Sequence, residues 1–233
     1  MANGSYQERR QEIETYFDRT AADAWRKLTS DAKVSRIRAT VRAGRDQMRA
    51  TLLDWLPADL SGKRLLDAGC GTGALAIEAA RRGAEVIAID VAPTLIKIAC
   101  ERTPADLGPG SVRFSAGDML DPAHGRFDHV VAMDSLIHYA PSDVVKVLAG
   151  LAARTSGSIV FTFAPKTPAL ALMHAVGQFF PRGNRSPAIV PVGPERLSAL
   201  LAADPALAGW RSARTRRIAV GFYTSQALEL VPA

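Results

Sequence analysis

The chain has little cysteine, few aromatic residues and no long apolar run, and each scarcity excludes something. Two cysteines, Cys70 and Cys100, are present in 233 residues. They match no metal-ligand spacing, which argues against a thiolate metal centre or a disulfide framework and toward an intracellular, reduced protein. No charged-then-apolar segment opens the sequence as a secretory signal would. The longest nearly uncharged stretch, around Pro168 to Pro181, is interrupted by His174, Gly177 and Gln178. It is too short for the about 20 residues that a membrane-spanning helix needs. Aromatic residues make up 6%. The net charge of +6 gathers partly in Arg26 to Arg49 and Arg211 to Arg217, but neither cluster has the interleaved aromatics of a single-strand nucleic-acid surface. A solvated helix face, a site for an acidic small molecule, or attraction to an anionic membrane surface accounts for the basic excess.

What is present is an alternation of strand and helix. Residues 5–55 have helical spacing, with Ile13, Tyr16, Phe17 and Thr20 on one stripe, continued by Ala21, Ala24, Trp25 and Leu28. A second helix is expected from Lys33 to Leu56, before Pro57 and Gly62. From Lys63 onward, strands are expected at 63–68, 84–90, 112–117, 127–133 and 157–163, with helices at 73–82, 93–102 and 141–153. Apolar strands separated by helices imply an α/β fold with a parallel sheet covered on both faces. An apolar, helical insertion at 167–180 precedes a basic loop from Pro181 to Arg185, and a helix is expected at 194–202. Two closing strands at 212–219 and 221–230, turning at Gly221, complete the chain.

The most informative segment is Leu-Leu-Asp-Ala-Gly-Cys-Gly-Thr-Gly at 65–73. An apolar strand ends in Asp67, and Gly69, Gly71 and Gly73 then alternate with small residues before a helix start. Turns without side chains let backbone N–H groups approach a ligand closely. The dinucleotide fingerprint needs its last glycine two positions later, and a phosphate-binding loop needs Gly-Lys-Ser/Thr; neither is found. The compact form resembles the first motif of class I S-adenosylmethionine-dependent methyltransferases, whose cofactor has no phosphates. That resemblance implies a Rossmann-like, mostly parallel seven-stranded sheet with an antiparallel C-terminal hairpin.

Ligands of open α/β sheets sit beyond the C-terminal strand ends, and acids recur there. Asp90, followed by Val91, closes one strand and is suited to accept both ribose hydroxyls or to cap the next helix. Asp118 closes the next; the resemblance has it accept from the adenine amine with Met119 against the ring. Asp134 ends the fourth strand, where the family holds the methionyl ammonium through backbone carbonyls, and Asp67 orients the glycine turn near that ammonium. After the fourth strand, base-amino methyltransferases carry Asn/Asp-Pro-Pro-Tyr, whereas this chain reads Asp134-Ser-Leu-Ile-His-Tyr139. That points away from nucleic acid and toward a small acceptor, with His138 at the mouth of the cleft.

Tyr16 to Trp25, Val41 to Arg45, Met133 to Tyr139, Phe180 to Pro187 and the closing Gly221 to Glu229 resemble the magnesium-protoporphyrin IX O-methyltransferase family of bacteriochlorophyll synthesis. The resemblance spans nearly the whole chain. It implies methylation of one propionate of the magnesium porphyrin, giving the monomethyl ester and S-adenosylhomocysteine (SAH), with magnesium present only as part of the substrate. It further implies catalytic roles for Tyr16 and for His138, which would either orient the acceptor carboxylate or ligate the porphyrin magnesium, and an acceptor site using Tyr139, with Arg42, Arg45, Arg182 or Arg185 pairing with the other propionate. Residues 1–56 are expected to form a helical lid and 57–233 the catalytic domain, with 167–192 contributing to the acceptor pocket. A contact with a magnesium-chelatase subunit, a cytoplasmic location and at most peripheral membrane association complete the expectation. Quinone or natural-product O-methylation and a non-catalytic cofactor or porphyrin carrier are the competing readings.

Overall fold

The computed structural model describes residues 3–19, 22–30, 34–166 and 188–233. Within them, seven strands form one sheet: β1 Arg64–Ala68, β2 Glu85–Asp90, β3 Ser111–Ala116, β4 Phe127–Ala132, β5 Thr155–Phe163, β6 Trp210–Val220 and β7 Tyr223–Pro232. Their order is β3-β2-β1-β4-β5-β7-β6. The first five are parallel, and β7 runs antiparallel to both β5 and β6. The helices are α1 Asn3–Arg19, α2 Ala22–Leu28, α3 Arg36–Trp55, α4 Ala74–Arg81, α5 Pro93–Arg102, α6 Pro141–Ala152 and α7 Pro194–Ala203. The expected insertion helix at 167–180 and the basic loop holding Arg182 and Arg185 lie outside the described residues.

The apolar strands read as continuous runs because both faces are covered. Successive residues alternate between two cores. Leu66, Ile87, Ile89, Val130 and Phe161 enter one, shared with Leu148 and Leu151 of α6 and Leu197 of α7. Leu65, Val86, Ala88, Val131 and Val160 enter the other, shared with Met48 and Leu52 of α3 and Ala76 of α4. α3 is therefore part of the body: Met48 and Leu52 are fully buried. Its fit over the terminal hairpin depends on two glycines. A Cβ on Gly44 would come within 2.4 Å of the Tyr223 ring, and one on Gly221 within 2.5 Å of Thr40. The outer strand β6 presents Arg211, Arg214, Arg216 and Arg217 along the sheet edge, which discourages pairing with another chain. Arg214 forks onto the buried Glu229 of β7.

α1 and α2 are attached by apolar and polar contacts together: Tyr6 and Ile13 are buried in the first core, and Phe17 and Trp25 pack against Ala92, Leu95 and Ile98. Asp18 accepts from the backbone N–H of Thr94 at 3.0 Å and from the Thr94 hydroxyl, capping an α5 start that has no side-chain cap of its own. Arg102 of α5 donates to the Thr29 and Arg26 carbonyl oxygens at 3.0 and 2.7 Å. Among the described residues, no helix is long and apolar enough to cross a membrane.

Candidate active site

β1 and β4 are neighbours at the point where strand order reverses, and their C-terminal ends open on a cleft of about 280 Å³. Such crevices are where open α/β sheets bind ligands. The floor is the turn after β1. Gly69 and Gly71 have φ of 85° and 55°, and a Cβ on Gly69 would overlap Ser135 at 2.2 Å. Only glycine allows that turn to adopt its conformation and lie against the β4 end. Gly73, with φ of 81°, serves instead as the N-cap of α4 against Phe114 and does not line the cleft.

Two buried acids face each other across this floor. Asp90 accepts from the Gly71 N–H at 2.8 Å and the Ala92 N–H at 2.9 Å, so it stiffens the glycine turn and the entry to α5. Asp67 is only 1% exposed, and among the described residues its Oδ2 has no hydrogen-bond partner. Burial, followed by repulsion from Asp90, pushes its carboxyl up to about 7. Burial likewise raises Asp90, against the lowering effect of its backbone donors. A buried carboxylate with one unpartnered oxygen at the floor of a cleft is a site for a cation, and the ammonium and sulfonium groups of S-adenosylmethionine suit it. Val91, Met119 and Asp134 line the same cleft, as do His138, Tyr139, Arg42 and Arg45.

Besides Gly73, two expected site residues are placed elsewhere. Asp118 is taken by α1: its Oδ1 accepts from the Tyr6 hydroxyl at 2.8 Å and its Oδ2 pairs with Arg10 at 3.1 Å. The Leu120 N–H adds a third donor to Oδ1. Tyr16 does not line the cleft; on α1 the i, i+4 pair Ile13 and Phe17 does, while Tyr16 packs edge-on against Phe17. One helical position separates the expectation from the finding. Tyr6, which the sequence did not single out, stacks on Tyr139 at 5.1 Å. Burial raises both phenols, so each remains a neutral hydroxyl.

His138 ends a short 3-10 turn, Leu136–His138, and is buried at the cleft beside the Phe17 ring. Its carbonyl oxygen accepts from Arg9 of α1 at 2.7 Å. Asp134, just before that turn, has φ of 53°. Its carboxylate accepts from Arg45 at 2.6 Å, from Tyr223 and Ser225 at 3.1 Å and from Thr162 at 3.2 Å. Four donors fix a backbone conformation that an aspartate adopts at some cost. Arg42 lines the cleft too, but its Nε and Nη2 donate to the Leu28 and Lys27 carbonyl oxygens. Among the described residues, no group of three or more His, Cys, Asp or Glu side chains is arranged to hold a metal ion.

The sheet order, the glycine turn and the acids around this cleft define a class I S-adenosylmethionine-dependent methyltransferase. The chain is 51% identical over 228 residues to the magnesium-protoporphyrin O-methyltransferase of Rhodobacter capsulatus, covering 97% of this chain and 98% of that one. It belongs to the magnesium-protoporphyrin O-methyltransferase family. The model for the magnesium-protoporphyrin IX methyltransferase C-terminus matches residues 132–232, and a general methyltransferase domain matches 65–156. Magnesium protoporphyrin IX methyltransferase from Synechocystis PCC 6803, solved with bound SAH, superimposes with a TM-score of 0.83 at 28% identity. That match covers 96% of this chain and 99% of the other. A ubiquinone biosynthesis O-methyltransferase from Xanthomonas oryzae is 35% identical, but over 57% of this chain and 59% of its own.

Proposed function

We propose that the protein transfers the methyl group of S-adenosylmethionine to a propionate carboxylate of magnesium protoporphyrin IX. The products are the monomethyl ester and SAH, in chlorophyll or bacteriochlorophyll biosynthesis. The observation that carries this is likeness to the family over essentially the whole chain, including the acceptor side of the cleft, whereas the quinone methyltransferase likeness spans little more than half.

When bound, S-adenosylmethionine supplies an electrophilic methyl group on a sulfonium. Asp67 would meet its positive charge, Asp90 and Val91 would hold the ribose, Met119 would pack against the adenine, and the Asp134 backbone would take the methionyl end. A propionate ionises near about 4–4.5, so it is already a nucleophile at neutral pH and no strong base is required. The residues' task is to orient that carboxylate in line and to strip water from it, and orientation of this kind contributes several kcal/mol. Ile13, Phe17, Trp25 and Leu28 give the cleft an apolar wall for a flat macrocycle. His138 sits at the acceptor end and positions the reacting carboxylate.

Of the N-terminal 56 residues, α1 and α2 form the cover over the cleft through Ile13, Phe17, Trp25 and Leu28, while α3 packs against the sheet. A tyrosine at 16 acts at most through Phe17. Ile37 and Phe222, 54% and 55% exposed, are linked through Thr40, whose hydroxyl donates to the Ile37 carbonyl oxygen and accepts from the Phe222 N–H. An exposed apolar pair on a chain of net charge +6 supports peripheral contact with an anionic membrane from the cytoplasmic side. A magnesium-chelatase subunit is the expected protein partner, tested by co-purification with the porphyrin-loaded subunit. The activity itself is tested by incubating the protein with labelled S-adenosylmethionine and magnesium protoporphyrin. Label in the ester supports it; label passing to a quinol and not to the porphyrin overturns it.

A further inference from the structure

Magnesium protoporphyrin carries two propionates side by side on one edge, and only one is esterified. The other keeps its charge throughout and is a handle by which a cationic side chain can orient the macrocycle. We propose that Arg45 binds the propionate that is not methylated, and that Asp134, Tyr223 and Ser225 are positioning residues that aim its guanidinium. This rests on the acceptor being the magnesium porphyrin.

Three arginines of α3 line the cleft, and their surroundings separate them. Arg42 is committed to the Leu28 and Lys27 carbonyl oxygens, at 2.9 and 2.8 Å, where it ties α2 to α3. Arg49 pairs with Asp46 of its own helix at 2.8 Å. Arg45 is held at one end only. Its Nη1 meets Asp134 at 2.6 Å, and its guanidinium lies over the Trp25 ring at 4.8 Å. Among the described residues, neither Nε nor Nη2 of Arg45 donates a hydrogen bond. Those two N–H groups point in parallel from one edge of the fork, the arrangement that grips a carboxylate with two bonds.

The backing of this fork is unusually fixed. Asp134 cannot rotate away, because Tyr223, Ser225 and Thr162 all donate to its carboxylate, and its own N–H donates to Thr162 at 2.7 Å. Gly44 allows α3 to rest directly on the Tyr223 ring, so the residue beside it reaches Asp134 from a set distance. A guanidinium on the reacting carboxylate would draw off the charge that attacks the methyl group. On the neighbouring carboxylate it fixes the macrocycle without weakening the nucleophile.

The product distinguishes these two placements, since the monomethyl ester keeps the propionate that was not methylated. For Arg45→Met, KM for magnesium protoporphyrin and the inhibition constant of the monomethyl ester should rise by the same factor, about 10–100-fold. Turnover at saturation should change far less, and cofactor affinity by calorimetry should hold. Arg45→Lys should recover part of the loss, because it restores charge without the fork. Tyr223→Phe should shift both constants in the same direction by less, as Asp134 keeps its other donors. A rise in KM with an unchanged product constant would put Arg45 on the reacting carboxylate and overturn the proposal. No change in either constant would leave Arg45 as a tie between α3 and β4, and would overturn it equally. Wild-type protein that neither binds nor methylates the porphyrin would instead overturn the substrate assignment.

Discussion

Replacing Asp67 by Asn should stabilise the cofactor-free protein while impairing cofactor binding. The carboxyl is 1% exposed, has an oxygen without a partner among the described residues and faces Asp90, and burial with that repulsion raises its pKa to about 7 from an ordinary 3.8. Because the folded value is raised, this group's contribution to stability is full below about pH 4 and is lost as pH rises through 7. Three pKa units correspond to about 4 kcal/mol, at about 1.4 kcal/mol each. An asparagine side chain keeps the shape and never ionises. At pH 8 the variant should gain up to about 4 kcal/mol over wild type, at pH 5 about 1–2, and below pH 4 almost nothing. Denaturant melts of both proteins at the three pH values measure this directly. Wild-type affinity for the cationic cofactor should also weaken below pH 7, as Asp67 takes up a proton. If the Asp67→Asn protein is no more stable than wild type at pH 8, Asp67 is not held at a cost in the empty site, and its role as the cation partner loses its basis.

Asp90→Asn should lower cofactor affinity about 10–100-fold, the loss of a charge-assisted pair, and should also loosen the turn, since both oxygens accept backbone N–H groups. Calorimetry on the folded variant with unchanged affinity would remove Asp90 from the site. His138→Ala should reduce turnover by about 10–10³-fold without abolishing cofactor binding; a variant with wild-type turnover and porphyrin affinity would return His138 to a packing role. Asp18→Ala removes the cap that α1 places on α5, worth about 0.5–2 kcal/mol, so α1 amides should exchange faster. Cofactor should slow that exchange in wild type, and slow exchange indifferent to cofactor would count against a moving cover.

How far the sequence reveals this molecule depends on the distance over which residues communicate. The strands are legible because runs such as Val86 to Ile89 are apolar at every position, as a sheet covered on both sides requires. The glycine turn is legible because its chemistry is contiguous, and Asp67 and Asp90 fall where strand ends must fall. The fate of Asp118 was not legible. Its partners Tyr6 and Arg10 come from the first helix, 112 and 108 positions away, and no local pattern announces them. Tyr16 and Phe17 share one aromatic stripe, and only packing decides which of two adjacent positions turns inward. The Arg45–Asp134 pair joins residues 89 apart, so a choice among the arginines required the fold.

The most direct measurement of the central claim is the mass of the porphyrin recovered after incubation with S-adenosylmethionine. Purified protein should convert magnesium protoporphyrin to a species one methyl ester heavier, with one free carboxylate left and one equivalent of SAH formed. Recovery of unmodified porphyrin, with the methyl group unspent or carried to a quinol hydroxyl, would contradict the account.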